Sequence, residues 1–120
     1  MNILIVDDSK AMRMIIRRTL RQAGFGNHDV REASSVAEAL EILAEYRASL
    51  ILSDWNMPDQ NGLEFLTLVR KKRIPGIFGF ITSLTSSEIR AQAMEEGASF
   101  LIKKPFTVED FQETLRDFLG

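Results

Sequence analysis

Short, continuously apolar runs alternate along the chain with longer stretches whose apolar residues recur at helical spacing. The runs predict strands over Asn2 to Asp7, His28 to Glu32, Ser49 to Asp54, Ile77 to Thr82 and Ser99 to Lys103. Between them, Met12, Ile15, Ile16 and Leu20 fall on one helical face. Val36, Leu40 and Leu43 do the same, as do Leu63, Leu66 and Val69, and finally Val108, Phe111, Leu115, Phe118 and Leu119. Ile89 and Ala93 give only a weak stripe, so the helix between the fourth and fifth strands is expected to be short or partly exposed. Ser35 with Glu38, Thr85 with Glu88 and, more weakly, Thr107 with Asp110 fit the helix-start pattern, while Gly24 and Gly97 sit where helices end.

Strands without internal polar residues are covered on both faces, and a strand–helix alternation of this kind builds a parallel sheet with helices on each side. Right-handed crossovers leave few topologies for five such units. The expected fold is α/β: a (βα)5 doubly wound, flavodoxin-like sheet of order 2-1-3-4-5. At 120 residues, with 45% hydrophobic and 27% charged residues, one domain spanning 1–120 is expected. A formal charge of -2 gives no global reason for nucleic acid or an anionic membrane as partner, and no cysteine is available for disulfide or thiolate chemistry. No signal-like segment or membrane span is legible, and a cytoplasmic chain is the expectation.

The chemistry lies at the strand ends. Asp7 and Asp8 close the first apolar run and Asp54 closes the third, so neighbouring parallel strands would bring three carboxylates to one crevice at the topological switch point. Two unit charges about 4 Å apart repel by roughly 4 kcal/mol at an effective dielectric near 20. Three carboxylates therefore either take up protons or recruit a hard divalent cation, for which Mg²⁺ is the natural choice. Thr82 ends the fourth strand and Lys104-Pro105-Phe106 follow the fifth, adding a hydroxyl and an ammonium to the same mouth. Metal, lysine and hydroxyl together suit a phosphoryl group, and a carboxylate there can act as nucleophile to form an acyl phosphate.

Leu4-Ile5-Val6-Asp7-Asp8-Ser9, Asp54-Trp55-Asn56-Met57-Pro58 with Gly62, the strand ending in Thr82, and Gly97-Ala98-Ser99 through Lys104-Pro105-Phe106 together resemble a response-regulator receiver domain, most closely of the single-domain chemotaxis kind. That resemblance implies that Asp54 accepts phosphate from a phosphohistidine on a histidine kinase or histidine phosphotransfer protein. It implies Mg²⁺ held directly by Asp8, Asp54 and the backbone carbonyl of Asn56, with Asp7 acting largely through water. Thr82 and Lys104 would contact the phosphoryl oxygens, and a cis Lys104–Pro105 bond is implied as well. Ser83 would leave space for donor and water, and Asn56 and Leu84 occupy positions that tune dephosphorylation in the family. The implied output is a changed binding surface for a downstream protein on the face of helix 4, strand 5 and helix 5. With no effector domain after Gly120, a stand-alone regulator of motility or a phosphorelay intermediate is expected. One position departs from the family pattern: the aromatic ring usual in the middle of strand 5 is Leu101 here, with Phe100 on the adjacent, oppositely directed site.

Simpler readings exist for most of these residues. Asp7 and Asp8 could serve as helix cap and first-turn acid, Asp54 as a turn residue, Thr82 as a β-favouring residue, and Lys104 as solvated, as expected for Lys103. Their convergence outweighs each reading taken singly. His28 has no ligand partners and reads as a surface residue, and Trp55 is expected to pack over the mouth of the crevice. Lys10, Arg13, Arg17 and Arg21 predict one basic stripe along the first helix, by default solvated and, in the sharper reading, a docking face for an acidic phosphodonor. A haloacid dehalogenase-type phosphatase would need a second Asp two residues after Asp54, where Asn56 stands. A flavodoxin-like FMN carrier would set phosphate beside Asp7 and Asp8 with no cation between them. A phosphorylation-independent scaffold should lack part of the acid, threonine and lysine set, which is complete here.

Overall fold

The computed structural model describes residues 1–119. Five parallel strands, β1 (Asn2–Val6), β2 (Asp29–Ala33), β3 (Leu50–Ser53), β4 (Ile77–Thr82) and β5 (Phe100–Lys103), pair in the order β2-β1-β3-β4-β5. The expected fold is observed, with strand limits shifted by one residue at several ends. The helices are α1 (Lys10–Leu20), α2 (Val36–Leu43), α3 (Gly62–Lys71), α4 (Ser87–Glu96) and α5 (Val108–Leu119). A wide turn over Arg21–Phe25 continues α1 and breaks at Gly24, whose φ of 99° is open to glycine without steric penalty.

Strand alternation divides the core into two layers. Leu4, Val6, Ile51, Phe78, Phe80 and Leu101 face α2, α3 and α4, meeting Ala39, Leu43, Phe65, Leu66, Val69 and Ala93. Ile3, Ile5, Leu50, Leu52, Ile81 and Ile102 face α1 and α5, meeting Ile16, Leu20, Phe111 and Leu115. Full burial of each such side chain contributes about 1.5–3 kcal/mol, so both layers are needed to offset the entropy of ordering the chain.

Helix starts follow the expected chemistry with one shift. Ser35 Oγ accepts from the Glu38 N–H, whereas the Glu38 carboxylate turns to Ser34 rather than closing a reciprocal box. Thr107 and Asp110 form both arms of such a box, as do Asn61 and Glu64, a pair the sequence reading passed over. Helix α4 is capped by Ser86, not Thr85, and runs ten residues with Ala93 its buried residue. It is therefore exposed, as its weak stripe predicts, but not short.

Beside the Leu101 position the packing is rearranged. Gly79 pairs with Phe100 across β4 and β5, and a methyl group added to Gly79 would lie 2.1 Å from the Phe100 ring. Phe100 occupies the space that glycine leaves and stacks on Phe118 of α5 with ring centroids 5.5 Å apart. Leu101 points to the opposite layer. Gly79→Ala is expected to destabilise by about 2 kcal/mol through overpacking, and Gly79→Ala/Phe100→Leu to regain most of it. Urea unfolding of the two variants measures this, and equal losses in both would contradict the size-exchange account.

Candidate functional site

Register brings the acids together. Val6 pairs with Ser53, so the next residues along the two strands, Asp7 and Asp54, leave the sheet side by side at its carboxyl edge. The Asp54 N–H still donates to the Val6 carbonyl at 2.9 Å. Thr82 pairs with Lys103, and the Lys104 N–H donates to the Thr82 carbonyl, so Lys104 enters the same mouth from the far side.

Asp7 is 2% exposed, and its carboxylate accepts from the Ser9 N–H at 2.9 Å and from Lys104 Nζ at 3.0 Å. The same ammonium lies 3.2 Å from Asp54 Oδ2, while Asp54 Oδ1 accepts from the Trp55 N–H at 2.7 Å. Lys104 thus bridges the two sheet-end acids, and the Lys104–Pro105 peptide is cis. Asp8 is exposed, with its carboxylate at the opening. Thr82 is buried, its hydroxyl accepting from the Leu84 N–H at 3.1 Å, and Asn56 and Ser83 are exposed.

Burial pushes the Asp54 carboxyl above its ordinary value; Lys104 pulls it back down, Asp7 adds to the rise and the Trp55 N–H opposes it. A carboxyl so placed is sensitive to any further positive charge in the mouth. One carboxylate oxygen from each of Asp7, Asp8 and Asp54 lies within 4.8 Å of the others. The donor set is oxygen alone, with no thiolate or imidazole, which fits Mg²⁺ and not a softer metal. Two of those acids already share Lys104, leaving Asp8 as the acid most open to a cation. A cleft of about 340 Å³ lies at the opposite edge of the sheet, lined by Tyr46, Arg47 and Arg73, and shares no residue with the acid site.

Two expectations for residues around the site change. Trp55 does not cover the mouth: it is 6% exposed and packs inward against Phe80, with ring centroids 4.9 Å apart. The basic stripe is not continuous either. Arg13 and Arg17 both turn to Glu32 of β2 at 2.9 Å, and Arg13 Nη1 also donates to the Asp7 carbonyl at 2.6 Å. Lys10 and Arg21 stay exposed, so two of the four cations expected on a docking face are paired within the protein. Helix periodicity placed Arg13 and Glu32 on separate elements and carried no signal that they would meet. Asp59 was likewise passed over; its carboxylate caps α2 by accepting from Val36 and Ala37 N–H groups at 3.2 and 3.1 Å. His28 meets the N-terminal amine at 3.1 Å, away from the acids.

Fold and site together define a doubly wound α/β protein with a carboxylate, lysine and threonine cluster at the carboxyl edge of its sheet. The chain belongs to the response regulator receiver domain family, whose pattern it matches over residues 3–116, and it is of the CheY type that serves two-component signalling. It is 39% identical to the chemotaxis protein CheY1 of Helicobacter pylori, an alignment covering all of this chain and 98% of that protein. A CheY homolog from Campylobacter jejuni is 37% identical, with all of this chain and 93% of that one covered. The structure of the Vibrio cholerae chemotaxis protein CheY4 superimposes with a TM-score of 0.86 at 33% identity over 98% of each chain. Receivers of this type are not enzymes in the ordinary sense, and they interact with a phosphodonor and with downstream targets.

Proposed function

We propose that this protein is a cytoplasmic phospho-switch in which Asp54 accepts a phosphoryl group from a phosphohistidine of a histidine kinase or phosphotransfer protein. The observation that carries the reading is the bridge made by Lys104 Nζ between Asp7 and Asp54, with the Asp8 carboxylate open beside it. An Asp54 carboxylate oxygen attacks phosphorus, an O–P bond forms as the donor's N–P bond breaks, and the imidazole leaves with the bonding pair and takes a proton. Asp8, Asp54 and the Asn56 carbonyl would hold Mg²⁺, which supplies charge neutralisation on the phosphoryl oxygens; Asp7 supports it through water.

The remaining work falls to the chain. Lys104 exchanges its contact with Asp54 for the phosphoryl oxygens, and the Thr82 hydroxyl, now an acceptor from Leu84, turns to donate to them. The acyl phosphate is later cleaved by water entering past Ser83, with Asn56 and Leu84 setting its access. Output passes to a downstream protein at the face of α4, β5 and α5, and similarity to chemotaxis proteins favours a motility target. With Leu101 packed among the core residues, movement of an aromatic ring in the middle of β5 is not part of this switch.

Incubation with acetyl phosphate followed by intact-mass spectrometry tests the reading. A gain of one phosphoryl group is expected with Mg²⁺ and not with excess chelator. A chain that never gains one, or gains it equally in chelator, contradicts the proposal.

A further inference from the structure

The Asp7 carbonyl lies one residue beyond the last paired position of β1 with β2, Val6 with Ala33, so the sheet ladder gives it no partner. Arg13 supplies one, its Nη1 donating to that oxygen at 2.6 Å from the first turns of α1. The guanidinium is itself held from behind, since Nε donates to Glu32 Oε1 at 2.9 Å and the other Glu32 oxygen is held by Arg17. Arg13 is only 13% exposed at its side chain, against 42% for Arg17. A planar donor fork held at two points loses little further freedom on contacting a third group, which suits it to fixing orientation.

The carbonyl in question belongs to the peptide joining Asp7 to Asp8. Three contacts now fix this corner: the Asp7 N–H on the Ala33 carbonyl at 3.1 Å, the Ser9 N–H on the Asp7 carboxylate, and Arg13 on the peptide oxygen. Asp8 has the exposed carboxylate of the cluster, so its direction depends on the peptide plane that precedes it.

Resting on the reading of the acid cluster as a cation site, we propose that Arg13 is a positioning residue: it clamps the Asp7–Asp8 peptide so that the Asp8 carboxylate is presented to a divalent cation. Arg17 shares Glu32 but touches Val30 rather than Asp7, and therefore serves as the internal control. Groups that orient metal ligands in this way typically contribute 10- to 100-fold to metal affinity.

Mg²⁺ titrations followed through the backbone amide NMR shifts of Asp8, Ser9 and Trp55 decide the matter, alongside thermal melts without metal. Arg13→Met, which keeps the apolar stem, is expected to weaken Mg²⁺ binding roughly tenfold, and Arg17→Met to leave it within about twofold. Equal affinities for Arg13→Met and the parent protein overturn the proposal, as does an Arg17→Met loss as large as that of Arg13→Met. Should Arg13→Met fail to fold, Arg13→Lys is read in its place. One ammonium cannot hold both the Asp7 carbonyl and Glu32 in the same geometry, so a clear loss of affinity supports the clamp and none overturns it. A parent protein whose amides show no saturable response to Mg²⁺ removes the cation reading itself, a result distinct from a parent that titrates normally while Arg13→Met matches it.

Discussion

Asp54→Asn takes up no phosphoryl group from acetyl phosphate under conditions that phosphorylate the parent protein, because the amide that replaces the carboxylate is not a nucleophile towards phosphorus. Intact mass reads the outcome directly, and phosphorylation of the variant at the parent's rate would move the acceptor to another residue. The same substitution has a stability signature. In the folded protein burial raises the Asp54 carboxyl above its ordinary value, so the folded state holds that proton more tightly than the unfolded chain does. The associated stability is present below the unfolded value and is lost as pH rises through the raised folded value. At neutral pH the ionised acid is thus a net cost, and with chelator present Asp54→Asn is expected to melt above the parent, by a margin that shrinks as pH falls into the carboxylate range. A parent that melts higher at neutral pH would mean that attraction to Lys104 outweighs burial.

Gly62→Ala produces the largest loss of stability among small substitutions near the site. Gly62 opens α3 and its N–H donates to the Trp55 carbonyl at 2.6 Å. An added methyl carbon would stand 2.3 Å from the Asp54 carbonyl oxygen, 2.7 Å from the Phe80 ring and 3.0 Å from the Trp55 Cα. Two of those atoms are backbone, and the Phe80 ring is confined by Trp55 and Phe78, at 4.9 and 5.1 Å between centroids. No neighbour can yield without moving the loop that carries Asp54. A cost of about 3 kcal/mol is expected. At this chain length that corresponds to a fall in Tm of roughly 10–20 °C. Phosphorylation should also slow, since Asp54 is displaced from Lys104. A variant melting within about 2 °C of the parent would contradict the crowding inferred at this position.

What was legible in the sequence follows from what is local. Continuous apolar runs identify strands buried on both faces, and the carboxyl ends of such strands share an edge, so Asp7, Asp8, Asp54, Thr82 and Lys104 could be assigned to one mouth before any coordinates. Their convergence needed only strand order, which chirality and chain length nearly dictate. Contacts between elements were not legible. Helical spacing put Arg13 and Arg17 on one stripe, but whether that stripe met solvent or Glu32 depended on the crossing of α1 over β2. Trp55 follows an edge acid and read as a lid, yet the first turn after β3 directs it into the layer beneath, beside Phe80. The Gly79 and Phe100 exchange is a property of neighbouring strands in register, visible only once Gly79 is known to lie opposite Phe100. Helix α4 shows the limit of local capping rules, since Thr85, Ser86 and Ser87 each offer a hydroxyl and the backbone selects Ser86.

The central claim is that Asp54, and no other residue, carries the phosphoryl group. Its most direct test is transfer from a histidine-phosphorylated donor in Mg²⁺, followed by borohydride reduction, which converts an aspartyl phosphate to homoserine, and peptide mass spectrometry. Homoserine at position 54 is the predicted result. Homoserine at Asp7 or Asp8 instead, or a donor that keeps its phosphate in the presence of the folded protein, would contradict the account.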